Sequence, residues 1–243
     1  HRKALPSWVG PPVDGRAGLV REGPTKGPRV GKRDEARART TAAILDAARR
    51  AIAEEGGGGL SMRAIAREVG MVSSAVYRYF PTREALLTTL IVESYGNLDR
   101  ALTEASDGAP RWATLGHAVR TWALRAPHEF QLIYGTPIPG YVAPPETVPA
   151  AAAVAGHFLV VAARSAPAPF DTPELVEQFG SLVSDLPDAQ PAGAAAVLTE
   201  LAALVGFVGL ELAGHFVGTA DPADALYDAL LRRQCATLGV GED

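Results

Sequence analysis

Residues 60–91 read LSMRAIAREVGMVSSAVYRYFPTREALLTTLI. Ser61 stands where a helix N-cap belongs, Met62, Ile65, Ala66 and Val69 recur at helical spacing, and Gly70 supplies the left-handed residue that ends a helix. A second helix is expected over about 72–80, with Val76 and Phe80 one turn apart on its buried face. Ser73, Ser74, Ala75, Tyr77 and Tyr79 then fall on or near the open face, and Thr82 is placed to cap a longer helix after it. Two short helices joined by a glycine turn make a helix-turn-helix, whose second helix enters a DNA major groove. Small polar residues at the start of that helix suit base edges.

Upstream, Ile44, Leu45, Ala48 and Ile52 form one apolar stripe in residues 36–56, so this segment packs on the helix-turn-helix and completes a three-helix head. Four glycines, 56–59, link it to the next helix. Downstream, the helix expected from residue 82 to about 105 carries Leu86, Leu90 and Tyr95 out of the head and into the rest of the chain.

Charge divides the chain at the same place. Residues 1–83 hold 16 Lys and Arg against 8 Asp and Glu, a net of +8, whereas residues 84–243 hold 7 against 19, a net of −12. A basic head is drawn to phosphates, and an acidic body is repelled by them. Residues 1–35 are rich in Gly and Pro and dotted with Arg and Lys, a composition that cannot order itself by burial. They read either as a flexible basic arm that tracks phosphates or a minor groove, or as an idle tail. The expected organisation is therefore an arm over 1–35, a DNA-binding head over 36–81 and a body over 82–243.

The body reads as entirely helical. No segment alternates β-branched residues with period two, and Ala- and Leu-rich runs are separated by proline-rich breaks. Helices are expected at about 110–126, 127–135, 149–165, 172–185, 190–216 and 221–238, with Pro110, Pro127, Pro149, Pro173 and Pro222 near their starts. Residues 135–149 contain five prolines and read as a stiff loop, a spacer that partly lids whatever lies beneath it. The fold class is all-α.

The single cysteine, Cys235, excludes an internal disulfide and argues for a reducing compartment. No N-terminal stretch has the layout of a secretory signal, and no uncharged run reaches the roughly 18–20 apolar residues that cross a bilayer. A cytoplasmic protein with no membrane partner is expected.

The recognition segment, Gly70-Met71-Val72-Ser73-Ser74-Ala75-Val76-Tyr77-Arg78-Tyr79-Phe80 followed by Thr82-Arg83-Glu84, resembles that of the TetR family of transcriptional regulators. The resemblance extends through Thr40, Ile44, Leu45, Asp46, Ala47, Ala48 and Glu54-Glu55-Gly56, covering roughly residues 37–95. The chain departs from the family pattern at Val72, where Ser is usual, at Ser73, where a phosphate-binding Lys is common, and at Tyr79, which takes the place of His. Over Leu201–Phe216 the chain is similar to a subgroup with a Trp-x-x-Leu-His-Gly and Glu-Leu-x-Gly signature. It keeps Gly206, Glu211 and Gly214, with Leu201 and Val205 in the Trp and His places, and Trp122–His128 looks like the same subgroup.

This reading places Arg63, Ser73, Ser74 and Ala75 against bases or flanking phosphates, and Thr40, Tyr77, Tyr79 and Arg83 on the backbone. A single short helix reads few bases, so a two-fold dimer on a near-palindromic operator is expected. Leu201, Leu204, Val208 and Leu212 form an apolar stripe that, with Leu226, Leu230 and Leu231, suits a four-helix interface with a second copy, and Gly206, Gly209 and Gly214 allow close approach. The resemblance implies an apolar or aromatic small-molecule effector as the signal that releases a repressor from DNA; Trp122, Phe130, Tyr134, Tyr141, Phe158 and Phe179 are the candidate walls of its cavity, with His157 as a polar contact.

Catalysis has little support. His1, His117, His128, His157 and His215 show no HxxxH or HExxH spacing, and no GxGxxG, GxSxG or P-loop signature is present. No metal or cofactor is implied. Two other readings stay open: a regulator whose body binds only proteins, and a DNA-coating protein whose basic arm binds any sequence.

Overall fold

Glycine and proline set the punctuation of this chain, and the helices fall between them. The computed structural model describes residues 31–164, 167–184 and 186–241, so most of the basic arm, residues 1–30, lies outside the described residues. Helix α1 spans Lys32–Glu55 and begins inside the stretch expected to be arm, with Asp34 and Glu35 in its first turn, where acidic side chains complement the helix dipole. It ends at Gly56, whose φ of +71° is open to glycine at no steric cost.

Helix α2, Met62–Glu68, is capped by the Ser61 hydroxyl, which accepts from the Ala64 N–H at 3.4 Å. It closes with a Schellman turn. Met71 N–H donates to the Ala66 carbonyl at 2.8 Å, Gly70 N–H donates to that of Arg67 at 3.2 Å, and Gly70 adopts φ +67°. Helix α3 is regular only over Ser73–Val76. Tighter turns carry it to Phe80, with the N–H groups of Tyr79 and Phe80 both donating to the Val76 carbonyl. The expected face holds, since Val76 and Phe80 are buried.

Helix α4, Arg83–Ser106, starts at the Thr82 cap, whose hydroxyl accepts from the Ala85 N–H at 3.0 Å. Its first half completes the head core with Leu86, Leu87 and Leu90, packed with Ile44, Ile52, Ile65 and Val76. Its second half puts Leu98 and Leu102 into the body core. One rigid rod therefore belongs to both cores.

The body adds α5 (Trp112–Arg125), α6 (Pro127–Tyr134), α7 (Val148–Ala162), α8 (Pro173–Val183), α9 (Pro191–Leu212) and α10 (Asp224–Leu238). Pro127, Pro149, Pro173 and Pro191 lie in first turns, where a missing N–H costs nothing. Pro149 therefore belongs to α7 and not to the loop, which is irregular over 135–144 and then makes one 3-10 turn, Pro145–Thr147. Helix α9 ends at Leu212, four residues before the expected end, and Gly214 sits in the following turn at φ +76°.

Three polar chains tie the body helices together. Trp112 Nε1 donates to Gln234 Oε1 at 2.9 Å, and Gln234 Nε2 donates to the Glu200 carbonyl at 2.6 Å, which joins α5, α10 and α9. The nearly buried Glu200 carboxylate accepts both arms of Arg233 at 3.2 and 2.8 Å. Arg120 grips Glu211 through two bonds of 2.8 and 2.6 Å, donates to Asp224 at 2.8 Å and lies over the Tyr227 ring. These carboxylates hold the guanidinium protonated far beyond its ordinary range, and the Arg120 bond holds Asp224 below the usual carboxylate range.

By length and composition α9 is apolar enough to cross a membrane, a correction to the sequence count, which stopped at Glu200. Residues 192–197, Glu200, Leu204 and Val208 of this helix are buried against the rest of the chain, and two of its carboxylates are paired as above, so it is a core helix.

Candidate nucleic-acid interface and cavity

The open face of α3 carries the residues the sequence put there. Ser74 and Tyr77 are exposed, Ser73, Ala75 and Tyr79 half-buried, and Arg63 on α2 is exposed beside them. Tyr79 leans onto the head core, and the Arg37 guanidinium lies 5.0 Å from the centre of its ring, so α1 brings a cation next to the recognition segment. Arg78 is exposed between the two tyrosines. Neither arginine was singled out from sequence. The signal for Arg78 was the Tyr-Arg-Tyr run itself, whereas Arg37 lies 42 positions from Tyr79 and only the fold joins them. Thr40 sits on the same stretch of α1 as Arg37, with its hydroxyl donating to the Ala36 carbonyl at 3.0 Å.

Arg83 has a different task from the phosphate contact expected of it. Its Nη2 donates to the carbonyls of Gly57 at 2.7 Å and Gly58 at 3.2 Å, and its Nε to that of Leu60 at 3.0 Å. Carbonyls that the glycine turn cannot pair within itself draw the guanidinium inward. Arg83 thereby ties the turn after α1 to the start of α4.

The body contains an open cavity of about 560 Å³, within the range of small-molecule sites. Ile91 and Tyr95 of α4 form its back, Leu132 and Ile133 of α6 one side, and Val148, Ala151, Ala152 and Ala155 of α7 the other. Residues 135–138, Tyr141 and Ala143 of the proline-rich loop cover it. No Asp, Glu, Lys, Arg or His is among the lining residues. Tyr95 is partly buried, and burial pushes its phenol above the ordinary tyrosine range, so at neutral pH it is a hydroxyl able to donate.

Of the aromatic residues expected to line a cavity, only Tyr141 does so. Trp122, Phe130 and Phe158 are buried in the body core, Trp122 with an indole N–H that has no partner among the described residues. Tyr134 packs edge-on against Tyr95 and is tilted against Phe130, one layer behind the wall. His157 Nε2 lies 2.8 Å from Asp99 Oδ1, an ion pair between α7 and α4 when the ring is protonated, and Phe179 is half-buried on α8 away from the lining. Large rings fill space and do not leave it. The cavity lies where α7 offers three alanines.

The expected dimer stripe also needs correction. Leu204 and Val208 are fully buried within the chain's own core, with Leu201, Leu212 and Leu230 packed against it and Leu231 buried. Gly214 is outside the helix, and only the Phe130 ring lies near Gly209. The side of α9 left open carries Leu198, Ala202, Ala203, Gly206 and Leu210, with Leu226 and Ala229 exposed on α10.

Residues 44–90 match the model of bacterial regulatory proteins of the tetR family, and residues 112–234, half of the chain, match that of the tetracyclin repressor-like C-terminal domain. The chain belongs to the TetR family. The TetR assignment covers head and body alike, and proteins of this type are transcriptional regulators and not enzymes. HTH-type transcriptional regulators from Mycobacterium bovis and Mycobacterium tuberculosis are 46% identical over 137 residues, which is 54% of this chain and 58% of theirs. The crystal structure of the protein SCO4313 is matched over its whole length and 85% of this chain, at 33% identity and a TM-score of 0.73. A protein from Rhodococcus sp. RHA1 shares the fold at 24% identity and a TM-score of 0.55, over 79% of this chain and 93% of its own. The all-helical head-and-body architecture expected from sequence is that of the TetR fold.

Proposed function

We propose that this TetR-family chain is a cytoplasmic, homodimeric repressor that binds a palindromic operator through α3 and releases it when an uncharged, mainly apolar small molecule fills the cavity. The observation that carries the proposal is the pairing of an exposed, serine-led recognition segment on a basic head with an uncharged cavity in an acidic body. Ser73, Ser74 and Ala75 read base edges, while Arg63, Thr40, Tyr77 and Tyr79, joined by Arg37 and Arg78, hold the flanking backbone. Ligand chemistry follows from the lining. A charged group would be desolvated in the cavity without a partner, whereas a carbonyl or hydroxyl can pair with the Tyr95 hydroxyl. The cavity also counts against a body that binds only proteins.

Two copies meet on the open side of α9 and on α10. Ala202, Ala203 and Gly206 let a partner helix come close, and Leu198, Leu210 and Leu226 supply apolar area at the edges. Ala203→Arg is expected to leave the fold intact, because the position is exposed, and to give a monomer by sedimentation with operator affinity lowered on the order of 100-fold. A dimer that persists with Ala203→Arg would place the interface elsewhere.

The function itself is tested by recovering bound fragments from sheared genomic DNA at two salt concentrations. Enrichment of one two-fold motif that survives the higher salt supports the proposal. Unrelated sequences that wash off would mean that nonspecific charge does the binding.

A further inference from the structure

One wall of the cavity is also a contact with the DNA-reading head. Ile138 lines the cavity, and it also packs against the head core with Leu132 and Tyr141. Its far end rests on Gly57 so closely that a Cβ there would stand 2.6 Å from Ile138 Cδ1 and 2.9 Å from its Cγ1. No slack is left between this side chain and the glycine turn. The turn in turn is held by the Arg83 guanidinium through the Gly57, Gly58 and Leu60 carbonyls, and Arg83 follows the recognition segment by three residues.

The segment that carries Ile138 is braced as a unit. Pro137 and Pro139 fix the backbone on either side, the Tyr141 N–H donates to the Ile138 carbonyl at 3.1 Å across Gly140 at φ +77°, and the Tyr141 hydroxyl lies 3.1 Å from that of Thr88 on α4. We propose that this proline-flanked turn is the coupling element of the protein: a molecule in the cavity displaces Ile138 from its seat on Gly57, and the shift reaches α3 through the glycine turn and Arg83. The inference rests on the ligand-responsive reading above and names the route. It is distinct from a route along α4, which also joins the two parts, since Leu86 and Leu90 are packed in the head core and Tyr95 lines the cavity. An effector acts only through different affinity for two arrangements, and a contact shared by cavity and head is where such a difference arises.

The test uses the full chain and its selected operator, with the cavity filled from within. Ala152→Trp on α7 places a ring in the cavity opposite the loop, and Ala155→Phe does so from the next turn should the first variant fold poorly. Each filling substitution is made with Ile138 present and with Ile138→Ala, and the operator Kd is compared with that of its own unfilled parent. The expected result is a weakening on the order of 10-fold with Ile138 present and under about 2-fold with Ile138→Ala. Gly57→Ala alone is expected to weaken operator binding, and Ile138→Ala to restore it by making room for the added Cβ. Equal losses in both backgrounds would overturn the proposal in favour of α4, and no loss in either would overturn it because cavity filling is not sensed. Failure of the regulator reading shows earlier and separately, as a chain that selects no operator.

Discussion

Ser74→Glu is expected to abolish sequence-specific DNA binding while leaving the thermal midpoint within about 2 °C of the parent. Ser74 is exposed on α3 and contributes nothing to the head core, so the fold has no stake in it. On the proposed function a base contact at this position contributes about 1 kcal/mol of discrimination, and the proposed two-fold arrangement counts it twice. Replacing the hydroxyl with a carboxylate removes that contact and sets a negative charge among phosphates, so the loss should be on the order of 100-fold or more. Electrophoretic or fluorescence titration against the selected operator measures it. Wild-type affinity in the Ser74→Glu protein would show that α3 does not face DNA.

Trp112→Ala is expected to cost about 3–5 kcal/mol of body stability, the range for removing a fully buried large aromatic ring. Trp112 is 0% exposed, packs edge-on against Phe158 at 5.2 Å and donates to Gln234. Alanine leaves a cavity and also leaves the Gln234 carbonyl oxygen buried without its donor, since Gln234 is 0% exposed. Trp112→Phe keeps a six-membered ring, loses the hydrogen bond and leaves a smaller gap, so its cost should be about 1–3 kcal/mol. Denaturant midpoints of the two variants against the parent separate the terms. A cost below 1 kcal/mol for Trp112→Ala would mean that the link from α5 through α10 to α9 does not hold the body together.

The head was legible in the sequence because its signals are local. The Ser61 and Thr82 caps, the left-handed Gly70 and the one-turn pairing of Val76 with Phe80 each act within a few residues, and each stands in the structure where it was expected. The task of Arg83 was not legible, because its acceptors lie 23 to 26 residues away and are backbone carbonyls that every residue has. The walls of the cavity were misread for a physical reason. Large rings are conspicuous in a sequence, yet a void is made by atoms that are missing, and Ala151, Ala152 and Ala155 look like ordinary helix formers.

Helix α9 shows a similar limit. It is apolar on nearly every side, so spacing alone could not say whether Leu204 and Val208 faced a partner or the chain's own core. Packing of the neighbouring body helices settles that they face inward, and the small residues opposite them become the open side.

The measurement that bears most directly on the central claim is the affinity of the chain for its selected palindrome, set beside the same duplex with one half-site replaced and with bound protomers counted. Two protomers are expected on the palindrome, with at least about a 100-fold loss when one half-site is replaced at fixed salt. A single bound protomer, or a half-site replacement that costs nothing, would contradict paired reading by two α3 segments.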